Sequence, residues 1–225
     1  MGIAAIEAAE ADAVARTLRF FKATPGLHML GSSSADRLAI FSFNIASGGQ
    51  LLHHGLVVTL LNDIFGIQAR GGCSCAGPYG HDLLGIDANV SAQYRTLVMD
   101  GLEVMKPGWV RVGFPPVMDN ASIDYVLDAL AFIADRGHDL IELYDVNPES
   151  GCWTLKTALP EPSMTLDQLC WWRSMSAPSP QPLQAPSSVE IFAEAATLAD
   201  KARTKRHKPC AKLPDNADQL RWFQL

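Results

Sequence analysis

Long apolar runs are missing from this 225-residue chain; none approaches the ~20 residues needed to span a bilayer. The opening MGIAAIEAAEADAVAR is acidic where a secretory leader is basic, so no export signal is read and a cytoplasmic location is expected. A basic excess is lacking too. With 18 Lys and Arg against 24 Asp and Glu, the net charge is −6, which leaves no general attraction to nucleic acid or anionic membrane. Cysteine is sparse and odd in number, five residues at irregular spacing, which excludes a secreted disulfide framework and makes reduced thiols the default. No internal repeat is found. The 17 glycines and 14 prolines are too few for a collagen-like or low-complexity chain. What remains is a globular composition, 48% apolar and 19% charged, long enough to build a core without metal or disulfide staples.

Apolar residues recur with helical period from Ile3 to Phe21, so the chain opens inside a long helix that stops at Thr24-Pro25-Gly26, as though cut from something larger. The β-branched and aromatic run Leu38 to Ile45 predicts a strand ended by Gly48-Gly49. A helix follows from His54 to Phe65, with Gly66 as its terminating glycine. Ile67 to Arg70 reads as a short strand entering a glycine-rich loop over Gly71 to His81, and Asp87 to Gly101 as a second helix. Trp109 to Phe114 is the clearest strand, followed by a helix over Ile123 to Arg136 capped by Asp119 or Asn120. Short strands alternating with helices make the fold α/β or α+β, a short sheet flanked by helices. Residues 1–173 form the expected domain. Residues 174–188, rich in Pro and Ser, read as a linker, and 189–225 as a basic helical tail whose composition permits disorder.

The segment Arg70 to His81 concentrates glycines, two thiols, an arginine and a histidine. With its flanks it resembles the C-terminal domain of the aminotransferase class V family, fold-type-I pyridoxal-phosphate enzymes that include cysteine desulfurases and selenocysteine lyases. The matching elements are Ile40-Phe41-Ser42-Phe43-Asn44-Ile45, the run Leu60 to Ala76 containing Gly66-Ile67-Gln68-Ala69-Arg70-Gly71-Gly72-Cys73-Ser74-Cys75, and Lys106-Pro107-Gly108-Trp109-Val110-Arg111-Val112-Gly113-Phe114. They span about residues 1–160.

The resemblance implies that Arg70 and Arg111 hold a substrate α-carboxylate and that Cys75, with Cys73 as competitor, is an acceptor thiol attacking substrate sulfur or selenium. The residue types suit those tasks: a guanidinium fork fits a carboxylate bidentately, and a thiolate near cations is nucleophilic. Cys75 is expected to be the most reactive thiol, with Cys152 and Cys170 buried beside Trp153 and Trp171. Trp171 and Trp172 are expected to pack onto the core.

Two features depart from the family pattern. The stretch His81 to Gly108 is longer than in compact desulfurases, and Cys73 adds a second thiol. The family's large domain is missing altogether, and with it the Schiff-base lysine. Of Lys22, Lys106, Lys156, Lys201, Lys205, Lys208 and Lys212, only Lys208 follows a histidine, and it stands in the basic tail. Pyridoxal phosphate is therefore implied by the resemblance but not expected to bind this chain alone. A large-domain partner chain or a homo-oligomer would complete the site for an amino-acid substrate.

A non-catalytic interaction or regulatory module is the alternative, and a thiol redox module a third. Other motifs carry less. Cys73, Cys75 and His81, with Asp82 or Cys152, make an incomplete zinc set. His53 and His54 precede an apolar helix, where a capping or surface role is expected. The glycine loop lacks the Gly-Lys-Ser/Thr ending of a phosphate loop, and no Gly-x-Ser-x-Gly elbow supports a serine triad. The basic cluster Lys201 to Lys208 reads as a solvated helix end.

Overall fold

The computed structural model describes residues 2–72, 77–157, 186–204 and 210–225. Cys73, Cys75, Cys170, Trp171, Trp172, linker residues 174–185 and the cations Lys205, Arg206 and Lys208 lie outside the described residues.

Helix α1 (Ile3–Ala23) buries Ala13, Thr17 and Phe21, one face at a spacing of four. It ends where Thr24, preceding proline, turns extended. Strands β1 (Leu27–Met29), β2 (Ile40–Ser47), β3 (Gln50–Leu51), β4 (Arg70–Gly72) and β5 (Trp109–Gly113) make one antiparallel sheet in the order β1-β2-β5-β4, with β3 paired to β2. Side chains alternate across it. Phe41, Phe43, Ile45, Val110 and Val112 are buried beneath α1, α2 (His54–Phe65) and α5 (Asn120–Leu140). The other face carries Ile40, Ser42, Asn44, Trp109 and Arg111. The mixed fold is as expected, and the antiparallel pairing makes it α+β.

Helix starts and stops follow local chemistry. Asp119 caps α5 by accepting from Ser122 N at 2.7 Å. Gly66 closes α2 at φ 64, the left-handed conformation that glycine adopts without strain. Asp87 caps α4 (Ala88–Met99).

Three local expectations are corrected. The strand expected at 67–70 begins only at Arg70, because the chain first turns away at Gly66, with Ile67 N bonding Leu61 O at 2.9 Å, before reaching β5. The second half of the expected glycine loop is helix α3 (Gly77–Leu84), whose Pro78 sits in the first turn, where a missing N–H costs nothing. A hairpin of β6 (Tyr144–Val146) and β7 (Trp153–Leu155), absent from the sequence reading, follows a 3-10 turn at Ile141–Leu143. Its turn is held by Asn147 Oδ1, which accepts from Glu149 N at 2.9 Å and Ser150 N at 3.2 Å.

The segment read as a basic tail packs on the domain wherever it is described. Helix α6 (Ser188–Arg203) starts at a capping box of Ser187 and Glu190. It buries Ala195, Ala199 and Ala202 along its contact with α5 and sets Phe192 against Phe65, Tyr125 and Phe132. Arg136 on α5 fastens it, binding Asp139 at 2.8 Å and Asp200 at 2.7 Å. The basic residues drew the sequence reading to the helix end; the small-residue stripe does the packing. Beyond helix α7 (Asp215–Asp218), Phe223 and Leu225 also enter the core. Among the described residues, no helix is long and apolar enough to cross a membrane.

Candidate functional site

Register brings the two expected arginines together. Arg70 on edge strand β4 stands directly opposite Arg111 on β5, and Arg111 in turn stands opposite Ser42 on β2. Opposed residues of an antiparallel pair project from the same face, with Cβ atoms about 5 Å apart, so the three form a row across the open face. Arg70 is exposed and Arg111 half-buried.

Like charges placed this way repel, yet among the described residues no carboxylate pairs with either guanidinium. Three other arginines are paired. Arg16 grips Asp124 at 2.8 and 3.0 Å, Arg136 bridges two aspartates, and Arg221 holds Asp218 at 2.7 Å. Among the described residues the two adjacent guanidiniums have no counter-ion, and the planar fork of each matches a carboxylate.

Behind this row lies a buried knot at the start of α2. His53 does cap the helix, with Nδ1 accepting from Gly55 N at 3.0 Å. It is not a surface residue, however: it is 1% exposed, because Trp222 and Phe223 return from far along the chain to cover it. The same Nδ1 accepts from Trp153 Nε1 at 3.0 Å, which fixes the proton on Nε2, donating to Val104 O at 3.1 Å. Burial first, then the neighbouring His54, pushes the His53 pKa well below the usual histidine value, against the Val104 bond that raises it.

Burial brings His54 down to about 4, opposed by its bond toward Lys106 O at 3.4 Å. Its Nδ1 is buried without a hydrogen-bond partner among the described residues. Glycines make room around it. A Cβ on Gly108 would lie 2.6 Å from His54 Cδ2 and 2.7 Å from the Gly72 carbonyl carbon, and one on Gly71 2.9 Å from Val58 Cγ2. The Gly71-Gly72 pair therefore lets β4 lie against α2 at the point where the chain enters the thiol segment.

The acceptor thiols Cys75 and Cys73 lie outside the described residues. Cys152 is exposed just before β7, not buried beside Trp153 as expected, because alternation along the chain turns only the indole inward. Cys210, which carried no role in the sequence reading, is buried, and its thiol is pushed up to about 11, chiefly by that burial. His81 contacts Ser91 Oγ at 3.2 Å. Among the described residues, no three His, Cys, Asp or Glu side chains gather to hold a metal.

Pyridoxal phosphate needs a free lysine facing it. Lys106 instead pairs with Glu103 at 3.4 Å, and Lys156 with Asp145 at 3.6 Å and the Glu142 carbonyl at 3.0 Å. Lys22 and Lys201 end α1 and α6. Lys212 lies in the stretch before α7, and none of the described lysines lies on a strand beside Arg70 and Arg111, so the donor set described does not fit that cofactor.

A further arrangement resembles a hydrolytic triad: Ser47 Oγ lies 2.9 Å from His138 Nδ1, and His138 Nε2 lies 3.3 Å from Asp139. Ser47 is only 2% exposed, and its hydroxyl also accepts from His138 N at 3.2 Å. That geometry clasps the end of β2 to α5 and leaves no nucleophile facing solvent.

No family model matches the chain, and neither a curated protein nor a solved structure matches it.

Proposed function

We propose that the chain supplies the carboxylate-binding half-site of an enzyme resembling class V aminotransferases, inactive alone and completed by a large domain on a partner chain. Its substrate in that reading is an amino acid, with cysteine or a related thiol or selenol favoured by the thiol-bearing segment. The observation that carries it is the unpaired cross-strand couple of Arg70 and Arg111. This chain's part is recognition: the two guanidiniums fork the carboxylate, and the sheet holds them at fixed register. The cofactor and its lysine belong to the partner.

Two measurements test the proposal. In an NMR titration, L-cysteine shifts the Arg70 and Arg111 side-chain signals, whereas cysteamine, which lacks the carboxylate, does not, and Arg111→Gln abolishes the response. Equal shifts with both ligands, or none, overturn the half-site. Capture of the chain's partner from its native lysate is expected to yield a protein whose visible absorbance borohydride removes.

The alternative, a non-catalytic interaction module, is favoured by Leu38 and Ile40, 60% and 50% exposed at the open-face end of β2. A captured partner without a cofactor-linked lysine decides for it.

A further inference from the structure

Residues 220–225 close over the start of α2. Leu220 O receives the Tyr94 hydroxyl at 3.0 Å, Trp222 Nε1 donates to Met105 O at 3.3 Å, and Gln224 N donates to Leu51 O at 2.9 Å. Beneath this cover lie two adjacent imidazoles. The Trp222 ring stacks on both, its centre 5.5 Å from that of His53 and 5.8 Å from that of His54, and Phe223 meets His53 edge-on at 4.7 Å.

The contact is built for neutral histidines. His53 Nδ1 faces two donors, Gly55 N–H and Trp153 Nε1–H, while Nε2 donates to Val104 O. A proton added at Nδ1 would set a third donor against those two and break both bonds. On His54, Nε2 is turned to Lys106 O at 3.4 Å, so an added proton falls on Nδ1, which has no acceptor among the described residues. The two rings lie 4.2 Å apart, so each charge would also repel the other.

No Asp or Glu side chain bonds either ring among the described residues. Glu103 pairs with Lys106 at 3.4 Å, Arg221 with Asp218 at 2.7 Å, and Asp63, farther along α2, accepts from Asn62 and from the Tyr144 hydroxyl. Arg70, two residues before Gly72 on β4, is a cation and offers no counter-charge; β7 contributes the neutral Trp153. Stacking on Trp222 would attract an imidazolium, but does not replace its hydration and the two lost bonds. Burial keeps His54 neutral down to about 4 and holds His53 well below the usual histidine value.

We infer that residues 220–225 are an acid-released latch: when His53 and His54 each take a proton from solvent, the segment lifts, the rings of both histidines and of Trp153 meet water, and the sheet stays folded. The sheet has its own cover, since Phe41 and Phe43 pack against Phe21 of α1.

Amide hydrogen exchange of the full chain, corrected for the intrinsic rate at each pH, reads this opening. Each histidine that titrates near its ordinary value in the open state multiplies the open population about 20-fold between pH 7 and pH 5. The Gln224 amide is therefore expected to open on the order of 100-fold more often at pH 5. At both pH values it should open more often than the Leu52 amide, which bonds Ile45 O at 2.8 Å. His54→Phe keeps a ring against Trp222 and removes one titration; its rise is expected to be about 20-fold smaller, and its spectrum at pH 7 reports whether it has folded. A wild-type rise below about 20-fold, or an undiminished rise in folded His54→Phe, overturns the part given to the histidine pair. Equal opening of Gln224 and Leu52 at pH 5 overturns the latch, because the domain then unfolds as a whole; this wild-type comparison decides even where the variant does not fold.

Discussion

The buried start of α2 and the open face of the sheet are neighbours, yet they treat polar groups in opposite ways. At His53 every valence is spent: Nε2 donates once, Nδ1 accepts twice, and aromatic rings close over the ring. At Arg70 and Arg111 two full charges face each other with no partner among the described residues. Saturated polar groups in a dry place define one structure, because any rearrangement leaves several of them unpaired. Unsaturated charges in a wet place contribute little to the fold and are available to something outside it. The difference separates residues that shape this protein from those that equip it.

The hardest blow to the buried side is Gly108→Ala. Its Cβ would meet the His54 ring at 2.6 Å and the Gly72 backbone at 2.7 Å, so one of them must shift. A loss of about 3 kcal/mol in chemical denaturation is expected, and a change under about 0.5 kcal/mol would show the packing to be looser than drawn.

Acid strikes the same knot next. Because burial keeps His54 neutral down to about 4, the unfolded chain, titrating near pH 6.5, takes up protons before the folded one does. Stability from this group is therefore complete above about pH 6.5 and falls as the pH drops, by about 2 kcal/mol on reaching about pH 5. His53 adds to the loss in the same direction. A flat profile of unfolding midpoint against pH over that interval would break the contrast.

The smallest effect belongs to the open face and has the opposite sign. Arg70→Glu turns a repulsive cross-strand pair into an attractive one and is expected to raise stability by about 0.5 kcal/mol while removing carboxylate binding. Destabilisation would mean that the arginine already has a partner within the fold.

Much of this contrast was legible in the sequence, though unevenly. Periodicity located α1, α2, α4, α5, β2 and β5, and the caps at Asp87, Asp119 and Gly66 follow from residue type alone. The arginines were named from a motif, but their register was not available, since pairing is set by where β4 comes to lie against α2. His53 was read as a cap without its burial, because the residues that bury it, Trp153, Trp222 and Phe223, stand about a hundred or more positions away. A Trp-Phe pair late in a polar stretch was the one available signal. Helix α3 was hidden by its own glycines and proline.

Residues 220–225 tie the molecule together across great chain distances. Leu220 O receives the Tyr94 hydroxyl, Trp222 bonds Met105 O, and Gln224 N bonds Leu51 O at 2.9 Å. The first two of these link positions 126 and 117 residues apart. Closing such loops is entropically slow, so the strap docks late in folding, after the sheet and α2 exist to receive it. Until then His53 and Trp153 are wet. The strap's release is accordingly the natural first step of local opening, and the indole protons of Trp153 and Trp222 should exchange with solvent at a common rate.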